Sequence, residues 1–156
     1  MFLVIVPGVV AGLIPWLISG WHEQPPLLGI PASRPFGTIL IALGIPVLLD
    51  SFIRFALDGL GTPAPIYPTR TLVIRGLYRY VRNPMYLAVV LIILGQALLL
   101  GNERLIVYAL SIWLLTHSFV RLYEEPTLRN SFGPEYDHYR ATVPRWLPKL
   151  PKNPRQ

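Results

Sequence analysis

Two adjacent carboxylates, Glu124 and Glu125, follow an apolar stretch that carries no charge over 105–120. His117 and Arg121 precede them at helical spacings, so a regular α-helix would carry all four side chains on one face. Paired carboxylates can bind hydroxyl or ammonium groups through charge-assisted hydrogen bonds, and a histidine or a carboxylate can serve as a general base. We identify a candidate polar site here, with His117 or Glu125 as the base. The alternative for His117 is a packing residue between helices.

A second set of charges lies on another apolar segment, where Asp50, Arg54 and Asp58 follow one another at intervals of four residues. That interval places all three on one helical face. A charge within a membrane is costly, and pairing with an opposite charge is the usual remedy. The pattern therefore predicts either a structural ladder of ion pairs near the membrane boundary or the wall of a polar cavity. Gln96 is a lone polar residue in the next apolar segment, and we expect it to form a hydrogen bond between helices.

Several kinds of chemistry are not favoured by the sequence. The chain has no cysteine, and its three histidines lack the spacing of metal ligands, so we expect no metal site. The segment Gly59-Leu60-Gly61 is too short for a dinucleotide-binding fingerprint, and there is no P-loop motif. A net charge of +6 would suit nucleic acid, but membrane topology accounts for the basic residues, so we expect no nucleic-acid partner.

The elements that must position these residues are apolar helices. Hydrophobic residues make up 53% of the 156-residue chain and charged residues only 14%, against about 25% in a typical soluble domain. A helix needs about 20 mostly apolar residues to span a bilayer, and these segments lack the polar outer faces of helices in a soluble core. We predict an all-α membrane protein with a single domain over 1–156. Its four expected transmembrane helices cover 2–20, 35–57, 85–101 and 104–123.

The distribution of charge predicts the orientation of these spans. Twelve of the fourteen basic residues would lie on the side of both termini and the loop 58–84, and only Arg34 and Arg104 on the other. This positive-inside bias places the termini and that loop in the cytoplasm. The first segment lacks a basic n-region and a small-residue cleavage site, so we expect a retained helix rather than a signal peptide. The small size and the lack of a targeting segment favour a bacterial inner membrane.

The most informative motif begins in the expected cytoplasmic loop and continues after the last two spans. It reads Thr71-Leu72-Val73, then Gly76-Leu77-Tyr78-Arg79-Tyr80-Val81-Arg82-Asn83-Pro84-Met85-Tyr86. Its later parts are Tyr123-Glu124-Glu125-Pro126, Phe132-Gly133-Pro134-Glu135-Tyr136-Asp137-His138-Tyr139 and Val143-Pro144-Arg145. In these segments the chain resembles the integral-membrane methyltransferases, a group that includes isoprenylcysteine carboxyl methyltransferases and phospholipid N-methyltransferases. The resemblance covers the region 58–148, which we take as the catalytic region, with the helical C-terminal tail as one of its walls.

The resemblance does not select one branch of this group. Where the family pattern is commonly Arg-His-Pro-x-Tyr, this chain has Asn83 in place of the histidine, as the phospholipid-methylating branch does. An amide cannot act as a general base near neutral pH. The run Glu124-Glu125-Pro126 and the Gly-x-Gly at 59–61 also resemble that branch. The Phe-Gly-x-x-Tyr-x-x-Tyr segment at 132–139 and the Val-Pro at 143–144 are more similar to the isoprenylcysteine branch.

The resemblance implies S-adenosylmethionine as the methyl donor, bound between the 58–86 segment, the fourth span and the tail. The cofactor-binding residues that it implies are Gly59, Gly61, Thr71, Leu72, Val73, Tyr78, Arg82, Asn83, Pro84, Met85, Tyr86, Glu124 and Glu125. The catalytic candidates are Asn83, Arg121, Glu125 and His117. Arg121 lies one position away from a substrate-binding arginine of the isoprenylcysteine branch.

We therefore predict an enzyme that methylates a lipophilic acceptor at the cytoplasmic membrane face, as isoprenylcysteine carboxyl methyltransferases do, and releases S-adenosylhomocysteine. The alternative within the group is a phospholipid N-methyltransferase of the phosphatidylethanolamine type. A carboxylate acceptor needs no base, whereas an amine must first lose a proton. The alternative from another class is a small four-helix transporter or scaffold, which the charges around Arg54 would suit.

Overall fold

The computed structural model of the protein describes residues 2–57, 72 and 74–149. Every regular element within these ranges is helical, which confirms the predicted all-α class for this part of the chain. The α-helices of these ranges are α1 (Phe2–Gly8), α2 (Ile14–Ser19), α3 (Ser33–Leu57), α4 (Pro84–Leu100), α5 (Glu103–Phe119), α6 (Glu125–Phe132) and α7 (Pro134–Thr142). Wider π-helical turns join α1 to α2 at Val9–Leu13 and α5 to α6 at Val120–Glu124, and short 3-10 helices lie at Leu27–Gly29 and Gly76–Arg79.

The predicted helix limits agree closely with the structure except in the last apolar segment. The predictions 2–20, 35–57 and 85–101 end within two residues of the observed helices. The fourth was predicted to end at residue 123, but the helical path continues through the π turn and α6 as far as Phe132. Pro126 does not stop it, because its missing N–H falls in the first turn of α6, where the π turn has already shifted the hydrogen-bond register.

The apolar helices differ in length. Within the described residues, Ser33–Arg54 and Glu103–Phe132 are long and apolar enough to cross a membrane. Ile5–Ser19 and Pro84–Leu100 are apolar but shorter. Large apolar side chains face outward from both long helices, with Leu43 58% and Leu115 65% exposed, as expected for surfaces covered by lipid. The four-span count and the orientation stay predictions.

Helix α4 packs against α3 through glycines. A Cβ atom added to Gly95 of α4 would lie 2.6 Å from the Ile41 side chain and 2.7 Å from the carbonyl oxygen of Gly37. One added to Gly37 would lie 2.6 Å from the backbone nitrogen of Leu99. Small residues at such crossings let two backbones approach and gain van der Waals contact where no water is expelled. This crossing fixes α4 against α3.

The other side of α4 faces α5 and the N-terminal helices. Val89 and Ile93 of α4 form a buried cluster with Ala11 and Ala109. The amide of Gln96 donates to the backbone carbonyl of Ala11 over 2.7 Å, which confirms the predicted hydrogen bond between helices. A tight turn reverses the chain from α4 into α5. Gly101 ends α4 with a φ of 69°, and the Asn102 side chain accepts a hydrogen bond from the backbone N–H of Arg104 at the start of α5.

Candidate functional site

The segment before α4 is supported by the charged end of α3. Arg54 and Asp50 form an ion pair one helical turn apart, with 3.4 Å between Nε and Oδ1. Gly76 packs on this pair with a φ of 59°, and a Cβ added there would lie 2.7 Å from Arg54 Nε and 3.0 Å from Asp50 Oδ2. The first two members of the predicted ladder are therefore paired and support the loop, while Asp58 lies outside the described residues.

Tyr78, in the 3-10 helix that starts at Gly76, is anchored on both sides. Its backbone carbonyl accepts a hydrogen bond of 2.7 Å from the Tyr139 hydroxyl of α7, and its own hydroxyl is hydrogen-bonded with Ser51 of α3. Its side chain is only 6% exposed, and burial raises the pKa of the Tyr78 phenol well above its ordinary value. Tyr78 therefore joins α3 to α7 as a neutral side chain, with little surface left to contact a cofactor.

Glu125 is held by two guanidinium groups. Arg145 donates to both of its carboxylate oxygens, from Nε over 2.6 Å and from Nη2 over 2.8 Å. Arg82 donates to the same carboxylate over 2.9 Å and to the Tyr136 hydroxyl over 3.2 Å. The hydrogen bonds with Glu125 raise the pKa of the Arg145 guanidinium above its ordinary value. Because both oxygens already accept charge-assisted bonds, the geometry assigns Glu125 a structural role and leaves it a poor general base.

Glu124 has a different environment. Its Oε2 accepts a hydrogen bond of 3.2 Å from the Tyr86 hydroxyl in the first turn of α4. Within the described part of the chain, no arginine, lysine or histidine lies within ion-pair distance of Glu124, and its Oε1 accepts no hydrogen bond. Oε1 of this carboxylate can therefore accept hydrogen bonds from a ligand, whereas both oxygens of Glu125 are already engaged by arginines.

The three residues Asn83, Pro84 and Met85 are all buried. Asn83 donates from its amide to the backbone carbonyl of Arg145 over 3.2 Å. Pro84 starts α4 at a position where its missing N–H costs nothing. Of the four residues from 83 to 86, Tyr86 alone is less than fully buried, and it is the one that contacts Glu124.

Residues 143–149, which we call the tail strap, run back from α7 across the site. The backbone N–H of Arg82 donates to the carbonyl of Pro144 over 2.9 Å, and that of Lys149 donates to the carbonyl of Tyr80 over 3.0 Å. At its start, Val143 packs with Tyr136 and Tyr139, and Leu72 lies against the same cluster. The strap thereby fastens the segment before α4 to the C-terminal helices, and Leu72 is a packing residue of that joint.

His117 is bound by the tail strap rather than by the acids. Trp146 donates its indole N–H to His117 Nδ1 over 3.0 Å, and the Trp113 ring lies 5.3 Å from the imidazole. An indole can only donate, so Nδ1 must carry the lone pair and Nε2 the hydrogen of the neutral ring. The only basic lone pair of His117 is already used, so this arrangement favours a packing role over a base.

The predicted common face of His117, Arg121, Glu124 and Glu125 is not kept. The π turn at Val120–Glu124 changes the helical register, so that Arg121 is exposed to the outside while Glu125 is buried. Arg121 makes no ion pair within the described residues and does not join the Glu125 cluster. The remaining cofactor candidates Gly59, Gly61, Thr71 and Val73 lie outside the described residues.

Among the described residues that follow α6, four contributors to this site were not among the predicted site residues: Arg145, Tyr136, Tyr139 and Trp146. All four lie in the Tyr-x-x-Tyr and Val-Pro-Arg motifs or directly after them. Those motifs indicated that the C-terminal tail forms part of the site. No spacing rule could pair Arg145 with Glu125, because the contact depends on how α6, α7 and the strap fold back.

Within the described residues, the fold and the site together define a class: an apolar helical bundle with a polar, carboxylate-bearing site at one end. The sequence profile of the phospholipid methyltransferase family matches residues 33–135, about two thirds of the chain. The chain belongs to this family of membrane methyltransferases. This finding supports methyltransferase activity, and it lends no support to the transporter or scaffold alternative.

Two relatives illustrate the similarity. A protein-S-isoprenylcysteine O-methyltransferase of Schizosaccharomyces pombe is 36% identical over 81 residues, which is 51% of this chain and 34% of the relative. The chain therefore spans about a third of that relative's length. An uncharacterized protein of Haemophilus influenzae is 38% identical over 63 residues, 40% of this chain and the whole of the relative.

Proposed function

We propose that the protein transfers a methyl group from S-adenosylmethionine to a lipophilic acceptor at the cytoplasmic membrane face. The observation that carries the proposal is the contact between Glu124 and Tyr86. It joins the two most specific segments of the motif and leaves the second carboxylate oxygen of Glu124 to accept hydrogen bonds from a ligand. The membership in a methyltransferase family supports the reaction, and the concentration of arginine around the site supports the cytoplasmic side.

The residues of this end of the bundle suit the proposed donor. S-adenosylmethionine supplies an activated methyl group on a sulfonium cation, and it also carries ribose hydroxyls and an amino group that donate hydrogen bonds. Glu124 can accept from these donors. The ring of Tyr86 can face a cation. Arg82 is engaged by Glu125 and Tyr136 and is a poor partner for the donor's carboxylate, whereas Arg79 is exposed and offers a better one.

The side chains of this site point to the chemistry of the acceptor. Among the described residues of this site, His117 Nδ1 accepts from Trp146 and both Glu125 oxygens accept from arginines, which leaves Glu124 as the best candidate to take a proton. A carboxylate acceptor needs no proton removed before it attacks carbon. We therefore favour an isoprenylcysteine-like carboxylate, as the name of the fission yeast relative suggests. The phospholipid amine of the family's name is the alternative, with Glu124 as its base.

The test is a calorimetric titration of the detergent-purified protein with S-adenosylhomocysteine. We expect binding by the wild type, loss of binding in Glu124→Gln, and unchanged binding in Glu103→Gln, an exposed acid at the far end of α5. No binding by folded wild-type protein would refute the proposal.

A second experiment separates the two acceptor classes. It compares methyl transfer from labelled donor to a farnesylated cysteine with transfer to phosphatidylethanolamine vesicles.

A further inference from the structure

Arg145 is placed where three parts of the molecule meet. Its guanidinium binds both oxygens of Glu125 at the start of α6, and its backbone carbonyl accepts from Asn83 just before α4. The residues on either side of it are also fixed, Pro144 by the backbone N–H of Arg82 and Trp146 by His117. A single residue of the tail strap therefore links the two segments that carry Tyr86 and Glu124.

The Glu125 carboxylate is oriented by Arg145 more strongly than by Arg82. A bidentate guanidinium fixes both the position and the plane of a carboxylate, whereas one N–H bond leaves that plane free to turn. Arg82 makes one bond to Glu125 and shares its guanidinium with Tyr136. Glu125 is 8% exposed and lies at the junction of the π turn and α6, so fixing its carboxylate restrains the backbone that also carries Glu124.

We infer that Arg145 is a positioning residue of the donor site, which holds Glu125 so that Glu124 meets Tyr86 in the geometry that accepts the donor. Arg145 does not touch the donor itself. This inference rests on the proposed function, because it assigns Glu124 and Tyr86 to donor binding. It gives the Val143-Pro144-Arg145 motif a physical role. The motif carries the guanidinium group that holds Glu125 and thereby positions Glu124.

The experiment measures S-adenosylhomocysteine affinity and thermal stability of the same purified variants. Arg145→Lys keeps the charge but loses the bidentate bond, and Arg145→Ala loses both. We expect affinity to fall about tenfold or more in Arg145→Lys, the size of effect seen when a residue that orients a ligand-binding group is removed. The matched control is Arg129→Ala, because Arg129 forms an exposed ion pair of 3.3 Å with Asp137 on the adjoining helices.

A double-mutant cycle separates positioning from mere stabilisation. Tyr86→Phe removes the hydroxyl that Glu124 binds, and Arg145 touches neither residue. If Arg145 acts through that contact, Tyr86→Phe should weaken binding strongly in the wild type and little further in Arg145→Lys. Independent, additive losses, or a lowered melting temperature with unchanged affinity, would overturn the inference. Failure of the wild type to bind would instead refute the proposed function, and the inference with it.

Discussion

Glu124 and Glu125 are neighbours in the chain, yet their carboxylates have opposite surroundings. Glu125 accepts three hydrogen bonds from Arg82 and Arg145, whereas Glu124 accepts one from the neutral hydroxyl of Tyr86. Two adjacent residues of a helix point about 100° apart, and at the end of the π turn Glu125 faces the tail strap while Glu124 faces α4. The pair is therefore one structural acid and one acid left for a ligand.

This division predicts that two isosteric substitutions change stability by very different amounts. Glu125→Gln leaves Arg82 and Arg145 without a counter-charge, so the free energy of unfolding should fall by about 3–5 kcal/mol, the range for breaking a buried ion pair. Glu124→Gln keeps an oxygen for Tyr86 and should change it by less than about 1 kcal/mol, the value of one hydrogen bond. Chemical unfolding in detergent measures both. Equal losses of stability in the two variants would contradict the division.

The helices of this protein were predictable because their signal is local. Uncharged runs and their flanking polar residues gave three of the four apolar segments with accurate limits, and Gln96 was recognised as a link between helices because a lone amide in an apolar segment needs a partner. The family resemblance implied that the segments of Tyr86 and Glu124 line one site, and the structure brings these two side chains into contact.

The arrangement of the acids was not predictable, for two physical reasons. A π turn carries no repeating hydrophobic pattern, so periodicity placed Arg121 on the face of Glu125 when it points elsewhere. The bond from Trp146 to His117 and the clamp of Arg145 on Glu125 join residues 20 or more positions apart through the return of the tail. Such contacts depend on tertiary folding, which no spacing rule encodes.

The glycine crossing of α3 and α4 predicts a local stability effect. Gly95→Ala should lower the free energy of unfolding by about 1–3 kcal/mol, because the new methyl group would overlap Ile41 and the Gly37 carbonyl. Gly12→Ala is the matched control, since an added Cβ at that helical glycine meets nothing within 4 Å. It should be neutral, or stabilising by up to about 1 kcal/mol. Thermal and chemical unfolding of both variants provide the measurement, and equal stabilities would exclude a tight crossing.

The tyrosines beneath the site predict a loss of stability at alkaline pH. Burial raises the pKa of the Tyr78, Tyr136 and Tyr139 phenols above their ordinary value. A raised folded-state pKa means that the unfolded chain ionises first, so stability is constant below about pH 10 and decreases above it. Unfolding free energies measured across this range should show that decrease. Tyr139→Phe should reduce its slope, and an unchanged slope would show that Tyr139 ionises freely in the folded protein.

His117 is predicted to be dispensable for the chemical step. Its Nδ1 already accepts the Trp146 indole N–H, so it cannot remove a proton from a methyl acceptor without breaking that contact. His117→Gln retains an oxygen that can accept from Trp146, and kcat for methyl transfer should stay within about threefold, since less than 1 kcal/mol of barrier is at stake. Trp146→Phe, which removes the donor, should cost about 0.5–1.5 kcal/mol of stability. A fall in kcat of about a hundredfold or more in His117→Gln, with a changed pH profile, would restore His117 as the base.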